Sequence, residues 1–261
     1  MKWLRLIRTF IVVSARQETA YPINFWISLL HALLNLGTGV IGLGVIFSQV
    51  DTLQGWAFAD TLALMGVFLI VSALRGLFIG PGMETVAGLG QEVMTGAFDF
   101  VLLRPVHTQF LITFRTWRLF SLVDLTLGVG VLVWAMQGSQ IEAAALLLFA
   151  VALLAAVLAV YAVLLAMTAL TFWSPGLMLG WVFDAIFQLA RYPVSIYPPW
   201  LRFLLTWCVP VGVMTTIPAQ AITGENVLWP VMGALGAALA LTVGASWLFS
   251  RGLRRYSSAS S

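Results

Sequence analysis

Along the chain, long apolar runs alternate with short stretches of mixed polarity, and the period within each stretch predicts what it forms. In residues 2–13, Trp3, Leu4, Leu6, Ile7, Phe10 and Ile11 share one side of a helix, with Lys2, Arg5, Arg8 and Thr9 opposite. That pattern predicts a helix lying flat on an anionic leaflet over residues 1–20. Unbroken apolar runs predict membrane spans at 23–47, 60–79, 119–136, 143–172, 177–189 and 227–249, because covering the hydrocarbon core takes about 20 apolar residues. No residue from 143 to 183 is charged, a length that holds two crossings hinged at Ser174-Pro175-Gly176. Gly80-Pro81-Gly82 is read as the end of the second span, since proline cannot donate to a helix ladder.

Two stretches depart from this alternation. Residues 84–118 mix charges of both signs, and within them Val93, Met94, Ala97, Phe98, Val101 and Leu102 recur at helical spacing, with Gln91, Glu92, Thr95, Gly96 and Asp99 opposite. An amphipathic helix over 91–103 follows, ended by Arg104-Pro105. It either lies in the headgroups or gives a soluble partner something to hold. Residues 191–226 are apolar but interrupted by Pro193, Pro198, Pro199, Pro210 and Pro218. The runs 201–209 and 211–217 are each too short to cross, so this stretch is expected to be a re-entrant hairpin, with Leu205, Pro210, Met214 and Pro218 as candidate gate or path residues. Residues 257–261 read as a disordered tail.

The fold class is thus all-α: a single polytopic membrane domain of six transmembrane helices, with an interfacial helix, a loop helix and a re-entrant hairpin. Composition agrees, for 61% of the 261 residues are hydrophobic and 9% charged, against about 25% charged in soluble domains. The thirteen basic residues set the orientation. Lys2, Arg5, Arg8, Arg16, Arg75, Arg104, Arg115, Arg118, Arg251, Arg254 and Arg255 fall on the side of both termini and the 84–118 loop, and only Arg191 and Arg202 on the other. Eleven against two puts the termini in the cytoplasm and the hairpin outside. The net charge of +3 is accounted for by these flanks, so no nucleic-acid partner is expected.

The chemistry is sparse. Arg5, Arg8 and Arg16 interrupt the first apolar run, so no cleavable signal is expected there. Lys2 is the only lysine, which leaves no P-loop, and any ATP must be handled by another protein. His31 and His107 stand far apart with no carboxylate cluster, Cys208 is the only cysteine, and no nucleophile elbow occurs, so neither a metal site nor an enzyme active site is visible. Asp124 and Asp184 lie deep in apolar runs, where they must line a wet cavity or pair with Arg75, Arg115 or Arg118. An ion-coupled secondary transporter and a non-transporting membrane partner protein stay open, although the former favours paired broken helices and one broken segment is seen.

In EVMTGAFDFVLLRP, Glu92, Gly96, Asp99, Leu102 and Pro105 give the order acidic, Gly, acidic, Leu, Pro. This resembles the loop between spans two and three in permease subunits of ABC-2-type exporters. Phe172-Trp173, then Tyr192-Pro193, Tyr197-Pro198 and Trp200-Leu201-Arg202, with Pro210 and Pro218 beyond, is similar to a six-span subgroup of these permeases. The resemblance implies a cytoplasmic coupling helix at 91–103 that docks on a dimer of ABC ATPase subunits through Gln91, Glu92, Thr95, Gly96, Asp99, Leu102, Arg104 and Pro105. It also implies an extracellular re-entrant hairpin, a second permease, identical or related, and a place in the bacterial inner membrane. This chain would bind no cofactor, ATP and Mg residing on the ATPase. The resemblance does not carry the substrate over; because only Asp124 and Asp184 lie clearly inside the apolar runs, an amphipathic or hydrophobic cargo is expected, on a path including those two residues. Asp99 stands where many relatives have Glu, which keeps the charge and shortens its reach.

Reporter fusions after Gln54, Gly138 and Gly224 are expected to read external, and those after Gly88 and Ser258 cytoplasmic; an internal reading at Gly224 would overturn the hairpin assignment.

Overall fold

In the computed structural model, which describes residues 2–87, 92–140, 142–176, 179–224 and 227–256, the regular elements are helical throughout. In order they are α1 (Lys2–Thr19), α2 (Pro22–Phe47), α3 (Phe58–Leu74), α4 (Gly80–Ala87), α5 (Glu92–Thr95), α6 (Asp99–Leu102), α7 (Thr108–Phe114), α8 (Ser121–Ala135), α9 (Ala143–Leu170), α10 (Leu179–Gln188), α11 (Pro199–Phe203), α12 (Ile217–Thr223) and α13 (Leu228–Leu253). The tail 257–261 and Gln91 lie outside the described residues.

The core forms around α3, which is apolar on every side and buried from Thr61 to Val71. It packs on α8, α2, α12 and α9. At its crossing with α8, a Cβ on Gly66 would stand 3.1 Å from the Gly128 carbonyl oxygen, so the two backbones touch. A second pair, α9 with α13, is lined by Ala152, Ala155, Ala156 and Ala159 on one helix and Ala234, Ala238 and Ala245 on the other. The outward face of α13 presents Gly236, Ala240 and Gly244, the small-residue ridge of the sequence, and nothing within the protomer covers Gly236 or Gly244. On α2, Ile23, Trp26, Ile27, Leu30 and Leu34 are likewise exposed, as lipid contact allows.

Gly80-Pro81-Gly82 does not break the second span. A π turn at Arg75–Ile79, closed by the Gly80 N–H on the Arg75 carbonyl, carries α3 directly into α4. Pro81 has no N–H for the carbonyl four residues back, that of Leu77, and the Arg118 N–H takes that place at 3.0 Å. Two further π turns, Leu204–Cys208 and Gly212–Thr216, stand in the same relation to Pro210 and Pro218. In each case the residue whose N–H closes the wide turn precedes the proline.

Among the described residues, four helical stretches are long and apolar enough to cross a membrane: α2, the rod from α3, α9 and α13. The segments expected at 119–136 and 177–189 form helices of 15 and 10 residues, which reach about 22 and 15 Å against a hydrocarbon core of about 30 Å. The proline-rich stretch bends by 76° between Pro199–Cys208 and Gly212–Thr223.

At Gly82 a Cβ would stand 1.9 Å from the Ile112 carbonyl oxygen, so α4 and α7 meet backbone to backbone. Gly82→Val is therefore expected to force them apart and destabilise the protein by about 3 kcal/mol or more, seen as a lower midpoint in thermal unfolding of the detergent-solubilised chain; an unchanged midpoint would show the contact to be dispensable.

Candidate functional site

The mixed-charge stretch folds as two four-residue helices rather than one amphipathic helix. Gly96 sits at φ 74°, in the left-handed region, where a side chain would be strained; α5 ends there, and the Phe98 N–H reaches back to the Glu92 carbonyl at 3.0 Å. The turn aims Phe98 inward, where it is fully buried, 5.5 Å from the Phe172 ring and 5.4 Å from that of Tyr256. Phe172 in turn packs edge-on to Phe249 of α13. One aromatic cluster thus pins the loop to the ends of α9 and α13, and Phe172 of the Phe172-Trp173 pair is its centre.

Charge placement differs from the sequence expectation. Glu92, read as a docking charge, turns inward and accepts from Arg115 at 2.6 Å, with 23% and 14% of the two side chains exposed. Arg115 also donates to the Thr85 hydroxyl of α4. Asp99 lies against the Tyr256 hydroxyl, and together with burial, the larger cause, it pushes that phenol up to about 12. A charge in a half-buried segment is stabilised by a partner in its own chain, so these carboxylates are used internally. What points outward is apolar: Met94, Phe100, Leu102 and Leu103 are exposed, with Thr95, Arg104, Pro105 and His107 beside them.

Behind the loop lies a charged network. Arg75 of the π turn is 15% exposed and bonds Asp184 of α10 at 2.5 Å and Glu84 of α4 at 3.5 Å. Its guanidinium stacks 5.1 Å above the Phe183 ring. Arg118 holds Glu84 from the other side at 3.2 Å. α1 is stitched to the same place: the Ser14 hydroxyl accepts from the Trp117 N–H at 3.1 Å, and Glu18 from the Leu119 N–H at 3.0 Å. Burial pushes the Glu18 carboxyl up, opposed by those backbone donors and by Arg118. These residues border a cavity of about 780 Å³ between α4, α9, α10 and the chain leading into α8. The sequence offered Asp184 a wet cavity or a pairing with Arg75, and the structure gives it both. The signal for the pair was an arginine and an aspartate each set in an apolar run, which must meet.

The remaining path residues lie elsewhere. Asp124 sits on α8 near His31 of α2, away from this cavity. Leu205 and Met214 are wholly buried, and Pro210 and Pro218 are buried beside them. They belong to the protomer's core, while Trp200, Phe203, Trp207 and Cys208 form the outward side of the bent segment. Among the described residues no group of acids, histidines and cysteine could hold a metal ion.

A family model described as "ABC-2 family transporter protein" matches residues 33–260. No curated protein matches the chain.

Phe98→Ala should release the 92–105 segment while leaving the spans inserted, since a buried Phe→Ala change removes about 3–5 kcal/mol of packing. Chymotryptic cleavage after Phe100 in membrane vesicles is expected to speed up markedly, and an unchanged cleavage rate would show that the aromatic cluster does not hold the segment.

Proposed function

Because the chain belongs to the ABC-2 family of transporter proteins, we propose that it is the permease subunit of an ATP-driven exporter in a bacterial inner membrane. It holds no ATP itself, Lys2 being its only lysine, and is driven by a separate dimer of ATPase subunits. A second permease, identical or related, completes the route for an amphipathic or hydrophobic cargo. Charge asymmetry places both termini and the 92–105 segment in the cytoplasm. Six crossings are part of this reading, with α8 and α10 as the two short ones. The bent segment α11–α12 lies on the outer side, and its outward Trp200, Phe203 and Trp207 face the second permease.

The observation that carries this reading is the surface of the 92–105 segment. Its carboxylates are spent internally, its base is clamped by Phe98, and it still presents Met94, Phe100, Leu102 and Leu103 beside Arg104. An apolar centre with a polar edge on an anchored projection is how a protein interface is built. The ATPase is accordingly gripped by apolar contact, with Glu92 and Asp99 holding the gripping element in shape.

Replacing Phe100 and Leu103 together by Ala is expected to lower recovery of the co-expressed ATPase subunit with the affinity-tagged permease by about tenfold or more, as truncating central apolar anchors does. Because the contact is apolar, the loss should hardly change between low and high ionic strength. Full retention of the ATPase by the double variant would refute docking at this surface, and absence of any ATPase from the wild-type complex would refute the permease reading itself.

A further inference from the structure

The cavity of about 780 Å³ beside the π turn has the size of a small-molecule site and the mixed lining of one. Its walls are apolar: Pro81, Met83, Leu164, Met167 and Leu179, with Trp117 and Trp181 at the sides. The charges in it do not balance. Four carboxylates, Glu18, Glu84, Glu92 and Asp184, meet two guanidiniums, Arg75 and Arg118. Counting Arg115, which holds Glu92 from outside the lining, the balance is still negative by one.

Exposure sharpens the sign. Arg75 stands behind its partners with 15% of its side chain exposed, whereas Asp184 keeps 48% and Glu84 43%. A molecule in the cavity therefore meets carboxylate oxygens before it meets Arg75, and the exposed guanidinium, Arg118, already shares its charge with Glu84. An anion would find only that half-neutralised charge to hold it. A cation adds to an existing negative field, and the Trp117 and Trp181 rings offer it further attraction.

We propose that this cavity binds a lipophilic cation, a molecule with one positive charge on an apolar body, and that such molecules are the cargo class admitted from the cytoplasmic leaflet. The proposal rests on the permease reading for the word cargo, and on the cavity alone for binding. The apolar body fills the space lined by Met83, Leu164 and Met167, and the charge lies against Asp184 and Glu84. In Asp184→Asn the amide oxygen can still accept from Arg75, which also stays paired with Glu84, so the tie between α10 and Arg75 is kept while the wall loses one unit of negative charge.

The test titrates the full-length chain, in nanodiscs of zwitterionic lipid, with tetraphenylphosphonium and separately with the same-shaped anion tetraphenylborate, each corrected for empty nanodiscs. The phosphonium is expected to bind saturably and at least about tenfold more tightly than the borate. Asp184→Asn should weaken phosphonium binding about tenfold, the effect of losing one favourable charge contact. Met167→Trp, which fills the cavity without altering charge, should weaken it as well. Equal or tighter saturable binding of the borate by the wild-type chain would overturn the proposal even if neither variant folds. So would phosphonium binding that both folded variants leave unchanged, since the probe would then sit in lipid or at another surface. Normal phosphonium binding by a chain that recruits no ATPase would overturn the permease reading and leave the site standing.

Discussion

A guanidinium with only 15% of its side chain exposed has to be answered by charge, and the way Arg75 is answered organises the part of this protein where α4 and α10 meet. Its position in a π turn, rather than in a regular helix, swings it inward to Asp184 of α10 and Glu84 of α4. α10 is thereby tied to the π turn and to α4, which follows that turn directly. Removing both carboxylates would leave a half-buried charge without a partner, a larger penalty than the pairs themselves are worth. The cavity exists because these side chains hold α10 and α4 in place around it.

The π turn is also where sequence reading and structure part. The spans at α2, α9 and α13 were legible because an apolar run of membrane length allows few other outcomes. Pro81, Pro210 and Pro218 were not legible in the same way, since a proline announces a lost hydrogen bond without saying who makes up for it. At Pro81 the remedy comes from Arg118, thirty-seven residues on, and the helix continues. At Pro210 the chain takes the bend instead, with Val209 extended between two π turns. Only the tertiary partner separates the two outcomes, and no local pattern encodes it.

The candidate site was legible in position and not in sign. The periodicity of residues 91–103 put Val93, Met94, Ala97, Phe98, Val101 and Leu102 on one face; Val93, Phe98 and Val101 are buried, while Met94 and Leu102 are exposed. It could not see that Gly96 would reverse the chain, which sends Glu92 and Asp99 to Arg115 and Tyr256 and turns Phe100 and Leu103 outward. A helical wheel assumes one unbroken helix. Once the helix is split, polar positions on the wheel cease to be surface positions.

The two halves of the site are physically joined, and the joints are short. Glu92, at the base of the projecting segment, holds Arg115, which also donates to Thr85 of α4. The next residue back on α4 is Glu84, shared between Arg118 and Arg75, and Arg75 ends at Asp184 in the cavity wall. Gly82 presses α4 onto α7 with no side chain between them, so α4 has little room to shift relative to α7. A push on the segment from outside is therefore transmitted to α4 as a body, through ion pairs and a backbone contact, and soft side chains have little chance to absorb it. Because Glu84 and Asp184 share one arginine, a displacement of α4 must stretch or re-form the pairs that set the negative face of the cavity. A push on the segment and the electrostatics of the cavity would then act on the same atoms, which is how the proposed docking of an ATPase would reach the proposed cation site.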